Sequence, residues 1–298
     1  MFKGLFPAVV TPFKDGKFDE KGYRKLLKYL LDGGVDGIVP NGTTGENPTL
    51  TDAERESIIR IAVEMCKGYG AKVIAGAGTN NTARSAVLIQ EAAIWGADGA
   101  LVITPYYNKP TQDGLLLHFR TLAKNSPIPI VMYNVPSRTN LHMTAETSIE
   151  LSFEKNIVCL KEASSDLVHF AKIMAKAHKD FTVLSGEDGL TLPMLSIGCS
   201  GVVSVAGNVA PRLMKSMLNA WNVGNLENAK SLHFRLLPLF ETMFLETSPS
   251  PCKAALEMMG ICSREVRLPL SPVRESTIKK LRGVLTGLFG DSLSGIVG

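Results

Sequence analysis

The chain has 298 residues, 45% of them hydrophobic and 20% charged, with a formal net charge of +4. That balance excludes a disordered chain and allows one large α/β domain or two ordinary ones, since single cores stop growing near ~250 to 300 residues. The small positive charge is spread out without aromatic interleaving, which argues against a nucleic-acid surface, and no apolar run reaches the ~18 to 20 residues of a membrane span.

Five cysteines occur without a CxxC pair or a histidine cluster at metal-ligand spacing. They read as reduced thiols. The N-terminus enters a strand-like run without a charged-then-apolar leader. The expected location is the cytoplasm.

Eight apolar, strand-like runs follow in order, at 4–11, 37–41, 72–77, 100–105, 128–134, 157–161, 181–185 and 202–206. Near-continuous apolar runs suit parallel strands covered on both faces. Between them lie helical patterns. The first, 19–31, carries Leu26, Leu27, Leu30 and Leu31 and is stopped by Gly33-Gly34. Thr51 predicts an N-cap, with Glu54 three residues on as its capping-box partner and Ile58, Ile59, Ala62 and Val63 on the buried side. The pattern repeats over 82–95 and ends at Gly96.

Strand starts are roughly 20 to 35 residues apart, enough for a right-handed helical crossover each time. A doubly wound open sheet is the competing fold. Eight units in roughly 210 residues fit a (β/α)8 TIM barrel better, and neither GxGxxG after the first strand nor a Walker A motif is present. Helices alone follow, at 211–222, 226–244, 250–259 and 276–288. The expected organisation is a catalytic barrel over 1–224 and a C-terminal helical extension over 225–298, without a catalytic role of its own.

In such a barrel the site lies at the C-terminal ends of the strands. That rule selects the turn 42–46, Tyr106-Tyr107, the segment 133–138 and Lys161, four segments expected at one mouth. The two-residue period places Ile157, Cys159 and Lys161 on one face. Lys161 then either snorkels to solvent or is a partly desolvated amine able to attack a ketone and form an iminium electron sink.

Tyr133 is a core tyrosine with a satisfied hydroxyl or a proton carrier that needs a relay, its ordinary pKa near ~10 being too high for an unaided base. Thr43 and Tyr107 are relay members or, respectively, a turn cap and rim packing. Thr44 and its turn offer side-chain and backbone donors suited to a carboxylate, and a sulfate or phosphate would use similar groups. Arg138 is a surface arginine or a bidentate carboxylate clamp, and Gly186 marks either a turn or a close backbone approach.

The motifs GTTGE at 42–46, TPYYNKP at 104–110, YNVPSRT at 133–139, KEAS at 161–164, SGED at 185–188 and GVVSVAGNVAP at 201–211 cover essentially the whole chain. Together they resemble the dihydrodipicolinate synthase family, also called 4-hydroxy-tetrahydrodipicolinate synthase, of the pyruvate-dependent class I aldolases. The resemblance implies that Lys161 forms an imine with pyruvate and that Thr44 holds its carboxylate. It makes Thr43, Tyr107 and Tyr133 a hydroxyl relay, with Tyr107 entering the neighbouring subunit's site. It also implies that Arg138 receives the carboxylate of L-aspartate-4-semialdehyde and that Gly186 and Val203 supply backbone around pyruvate. Val203 replaces a common isoleucine, a mild change.

By the same resemblance the reaction needs no metal or organic cofactor, belongs to the diaminopimelate route to lysine, and takes place in a homotetramer built from tight dimers. N-acetylneuraminate lyase and 2-keto-3-deoxy sugar-acid aldolases share the lysine and tyrosine. They remain the alternative enzymes, and a noncatalytic metabolite-binding scaffold is the alternative outside enzymes.

Two places depart from the family pattern. Where lysine-inhibited members use a small residue, histidines and a glutamate, this chain has Pro48, Asp52, Arg55 and Arg84, with Asn80 and Tyr106 retained. Arg84 would repel a lysine ammonium, so weak or absent lysine feedback is expected. In Ser248-Pro249-Ser250-Pro251 a serine stands where relatives often have asparagine, and the prolines still suit a rigid entry into the next helix.

Overall fold

The structure, a computed structural model, describes residues 2–290. The end of the expected extension, 291–298, lies outside the described residues, as does Met1. The parallel strands are β1 (Gly4–Pro7), β2 (Gly37–Ile38), β3 (Lys72–Gly76), β4 (Gly99–Ile103), β5 (Ile130–Asn134), β6 (Ile157–Glu162), β7 (Thr182–Ser185) and β8 (Gly201–Ser204). Their spatial order is β1-β8-β7-β6-β5-β4-β3-β2. Val39 N–H donates to the Pro7 carbonyl at 2.8 Å and Val9 N–H to the Val39 carbonyl at 3.1 Å, which returns β2 to β1. The sheet is thereby a TIM barrel rather than an open sheet.

Helices cover it: α1 (Glu20–Asp32), α2 (Asp52–Lys67), α3 (Thr82–Ile94), α4 (Gln112–Asn125), the single turn α5 (Pro136–Thr139), α6 (Ala145–Leu151), α7 (Leu167–Lys176), α8 (Thr191–Ser196) and α9 (Pro211–Asn222). The C-terminal helical extension adds α10 (Leu226–Thr242), α11 (Ser250–Met258) and α12 (Glu275–Phe289). α10 lies along α9, and α12 packs on α10 and α11.

Local chemistry explains the helix ends. Asp19 caps α1 by accepting from Gly22 N–H, and Gly34 leaves it in the left-handed region at φ 80°. Leu26, Leu27, Leu30 and Leu31 are buried against the sheet, each worth roughly 1.5–3 kcal/mol. Thr51 and Glu54 form the expected capping box on α2. Gly96, at φ 92°, follows α3.

The barrel interior holds one apolar cluster, with Phe6, Val39, Leu101, Val131, Leu184 and Val203 among its members. A larger cluster fills the layer between strands and helices. Alternation along each strand separates the two. The expectation for β6 needs correction here. Ile130 pairs with Ile157 but Val131 pairs with Cys159, so Val158 is an extra residue in β6. This bulge turns Ile157 into the outer cluster, while Cys159 joins the inner one and Lys161 keeps its inward face.

A small hairpin, Phe13–Lys14 with Lys17–Phe18, follows β1 and turns at Asp15-Gly16, both at positive φ. All five cysteines are buried and unpaired. Among the described residues no helix is long and apolar enough to cross a membrane.

Candidate active site

Lys161 pairs in register with Tyr133 on one side and Leu184 on the other, so two inward side chains meet at the C-terminal ends of β5 and β6. Lys161 is only 7% exposed. Its Nζ lies 3.9 Å from the centroid of the Tyr133 ring, a cation–π distance. Gly186, just past β7, closes the third side. A Cβ there would fall 3.1 Å from Lys161 Cε and 2.7 Å from the Ala163 methyl. Crowding by the Ala163 methyl first, and then by the Glu162 carbonyl and the lysine stem, rather than an unusual φ, makes this position a glycine.

A cleft of about 240 Å³ opens beside this pair, with Gly42, Thr43, Tyr106, Tyr133 and Arg138 on its walls. Lys161 is not itself on the wall; Tyr133 is, and its ring links cleft and amine. Thr44 is buried next to Thr43 in the turn after β2. Arg138 projects from α5, which starts at Pro136. Its guanidinium is exposed and has no ion pair or hydrogen bond among the described residues. Val203 is buried in the interior cluster on β8, in register with Phe6.

Tyr107 departs from the expected convergence, because it is 90% exposed and does not line its own chain's cleft. Asn108 N–H reaches back to the Tyr106 carbonyl at 2.8 Å, with Tyr107 at φ 69°. This three-residue reversal leaves Tyr106 on the cleft wall and turns Tyr107 out.

Several polar residues around the site escape a sequence reading. Behind Tyr133 and Lys161, their strand neighbours Asn134 and Glu162 point the other way. Asn134 Nδ2 donates to both Glu162 oxygens at 3.0 and 3.2 Å, and Ser164 N–H donates to Oε1 at 2.6 Å. His169 Nε2 stands 3.3 Å from Glu162 Oε2 without hydrogen-bond geometry. The clamp fixes β5 against β6 beneath the inward pair. A polar residue on the helix-facing side of an apolar strand was the available signal.

Asp188 accepts from Ala206 N–H at 2.8 Å, from Val205 N–H at 3.0 Å and from the Ser204 hydroxyl, tying the loop after β7 to the loop after β8. Burial raises its carboxyl pKa, and those donors oppose the rise. Burial also raises Glu187, helped by Asp188 and opposed by the charge of Lys161. Glu46, the last residue of the turn after β2, forms a fully buried ion pair with Lys253 of α11 at 2.6 Å. Its partner is 207 positions away, so no local pattern announces the pair.

A profile of the dihydrodipicolinate synthetase family matches residues 1–287. The chain belongs to that family. It is 49% identical over 288 residues to a 4-hydroxy-tetrahydrodipicolinate synthase of Methanothrix thermoacetophila, covering 96% of this chain and 97% of that one. Among solved structures, a dihydrodipicolinate synthase from Thermotoga maritima superposes with a TM-score of 0.94 at 42% identity, covering 96% of this chain and 98% of that one. One from Cyanidioschyzon merolae, with lysine bound, gives 0.94 at 41% identity and covers 97% and 99%.

In this member of the dihydrodipicolinate synthetase family, Asp52, one of the positions that depart from the lysine-inhibited pattern, lies between two others, Arg84 and Arg55. Arg84 Nη2 binds Asp52 at 2.6 Å, and Arg55 Nη2 donates to the Asn47 carbonyl at 2.9 Å. Burial lowers the Arg55 pKa, and the neighbouring Arg84 charge adds to that effect. Two guanidinium groups thus share one region with Tyr106.

Proposed function

We propose that this chain is a 4-hydroxy-tetrahydrodipicolinate synthase, condensing pyruvate with L-aspartate-4-semialdehyde through an imine on Lys161. One observation carries the reading: a buried strand-end amine packed on a tyrosine ring, beside a cleft walled by a hydroxyl and a free guanidinium. Attack of Nζ on the pyruvate ketone and loss of water give the iminium. Removal of a methyl proton then gives an enamine, because the iminium nitrogen accepts the electron pair. The enamine carbon bonds to the aldehyde carbon, whose oxygen takes a proton. The substrate amine next attacks the imine carbon and releases Lys161, so the balance is one product and one water.

Tyr133 and Thr43 suit the proton traffic, since a phenol needs a hydrogen-bonded relay to act near neutral pH. Thr44 and its turn are read as the holder of the pyruvate carboxylate, and Arg138 as the clamp on the semialdehyde carboxylate. Gly186 and Val203 border the bound keto acid. The chain's own amine is the electron sink, so the reading calls for no metal or organic cofactor. Tyr107 is exposed in one chain and is assigned to a neighbouring subunit's relay, within a homotetramer of tight dimers. The barrel is taken as 1–224, the extension as 225–298, and the location as cytoplasmic. Lysine feedback is proposed to be weak or absent, given Arg84 and Arg55.

Borohydride reduction with pyruvate tests the imine. A pyruvyl adduct on Lys161 is expected, and turnover without one would overturn the mechanism. Acceptor choice is checked in parallel, with rapid use of the semialdehyde and negligible use of N-acetylmannosamine or glyceraldehyde expected.

A further inference from the structure

The turn after β2 is bracketed by two non-glycine residues in the left-handed region, Asn41 and Glu46, each at φ 54°. Asparagine enters that region readily, whereas a glutamate does so at a steric cost. Glycine would serve the backbone more cheaply at position 46, so the carboxylate is what the position needs. A strained residue persists where its surroundings over-determine it.

The surroundings of Glu46 come from the far end of the chain. Its Oε1 accepts from Lys253 Nζ at 2.6 Å and its Oε2 from Arg267 N–H at 2.9 Å, with both ionic side chains fully buried. Lys253 and Arg267 both lie over the Phe13 ring, at 4.3 and 4.1 Å from its centroid. The Arg267 guanidinium donates to the Thr49 carbonyl, to Glu54 and to the Gly16 carbonyl. Glu265 accepts from Asp15 and Gly16 N–H. The segment around 265–267 thus lids the hairpin after β1 and the turn after β2, sealing the ion pair from water.

We infer that the C-terminal extension is a positioning part of the active site, holding the carboxylate-binding turn in shape through the buried Glu46–Lys253 pair. The inference rests on the proposed reading of Thr44 and its turn as the pyruvate carboxylate site. Glu46 N–H donates to the Thr43 carbonyl at 3.1 Å and Asn47 N–H to the Gly42 carbonyl at 3.4 Å, so a shift at Glu46 passes directly to the threonines. Glu46 and Lys253 touch no substrate in this account. They fix the residues that do.

The test measures the pyruvate concentration giving half-maximal borohydride trapping, together with KM and kcat, in the full chain. The double variant Glu46→Gln/Lys253→Met removes both buried charges at once, which avoids stranding one of them. Arg267→Ala keeps the pair and admits water to it. Each is expected to raise half-saturation and KM for pyruvate about tenfold, with plateau trapping retained and kcat little changed. Leu122→Ala, a core change in α4 outside the extension, controls for general loosening and is expected to leave half-saturation at the wild-type value.

Wild-type half-saturation in a folded double variant overturns the inference, as does an equal shift in Leu122→Ala. Should the double variant fail to fold, Arg267→Ala decides alone, and a wild-type value there overturns it. Wild-type protein that traps no pyruvate would instead defeat the proposed function, so the two failures are distinct.

Discussion

The room around Lys161 is set by the absence of one carbon. Gly186→Ala puts a methyl 3.1 Å from Lys161 Cε and 2.7 Å from Ala163, an overpacking that costs about 1–3 kcal/mol. The stem of the lysine is the softer neighbour and moves. Gly186→Ala is therefore expected to fold with a lowered melting temperature and to lose about tenfold or more in pyruvate trapping rate, both read on the same preparation. Arg138 behaves differently because it is exposed and free of partners. Arg138→Ala should leave stability and pyruvate trapping unchanged while raising KM for the semialdehyde by about 10² or more, as expected for loss of a charge-assisted bidentate contact. Unchanged semialdehyde kinetics would remove it from the clamp role.

At the scale of elements, Glu54 links a helix cap to the extension. It closes the α2 capping box and accepts from both Arg267 terminal nitrogens, at 2.6 and 2.8 Å. The Arg267 hydrogen bonds hold its pKa at about 2, down from the ordinary 4.5. A carboxyl depressed on folding stabilises the protein above its unfolded pKa and loses that contribution as pH falls through the folded one. Stability should therefore decline from about pH 4.5 toward pH 2, and Glu54→Gln should flatten that part of an acid-unfolding curve. The strands were legible as apolar runs, and the helices α1, α2 and α3 through their own apolar pattern, cap or glycine stop. Other features were not. The β6 bulge is invisible because Val158 continues the apolar run unbroken. Tyr107 follows Tyr106 with no local sign that a tight reversal separates them. Glu46 looks like a surface residue of a polar turn, and only its distant lysine, set in the apolar run Cys252-Lys253-Ala254-Ala255, hints at a buried partner.

At the scale of the whole molecule, the region holding Asp52, Arg55, Arg84 and Tyr106 bears on regulation. Arg84 binds Asp52 at 2.6 Å and stands 3.9 Å from Glu91, so a guanidinium already sits beside both carboxylates that an ammonium would seek, and Arg55 lies close by. Purified enzyme at neutral pH should keep nearly full activity in millimolar lysine, and strong inhibition there would refute the proposal. Family and fold were readable along the full length because the motifs sit at successive strand ends of one barrel. Assembly was not, since nothing within one chain fixes what an exposed Tyr107 packs against. The sulfurs give the folded chain a further property. Burial pushes the Cys66, Cys159 and Cys262 thiols to about 12 and Cys199 to about 11, and raises Cys252 as well. Thiolate is the reactive species, so alkylating or oxidising agents find little to attack until the barrel opens. The rate at which iodoacetamide consumes each of these groups becomes a clock for opening of the part of the fold around it, read at sulfurs the chain already carries.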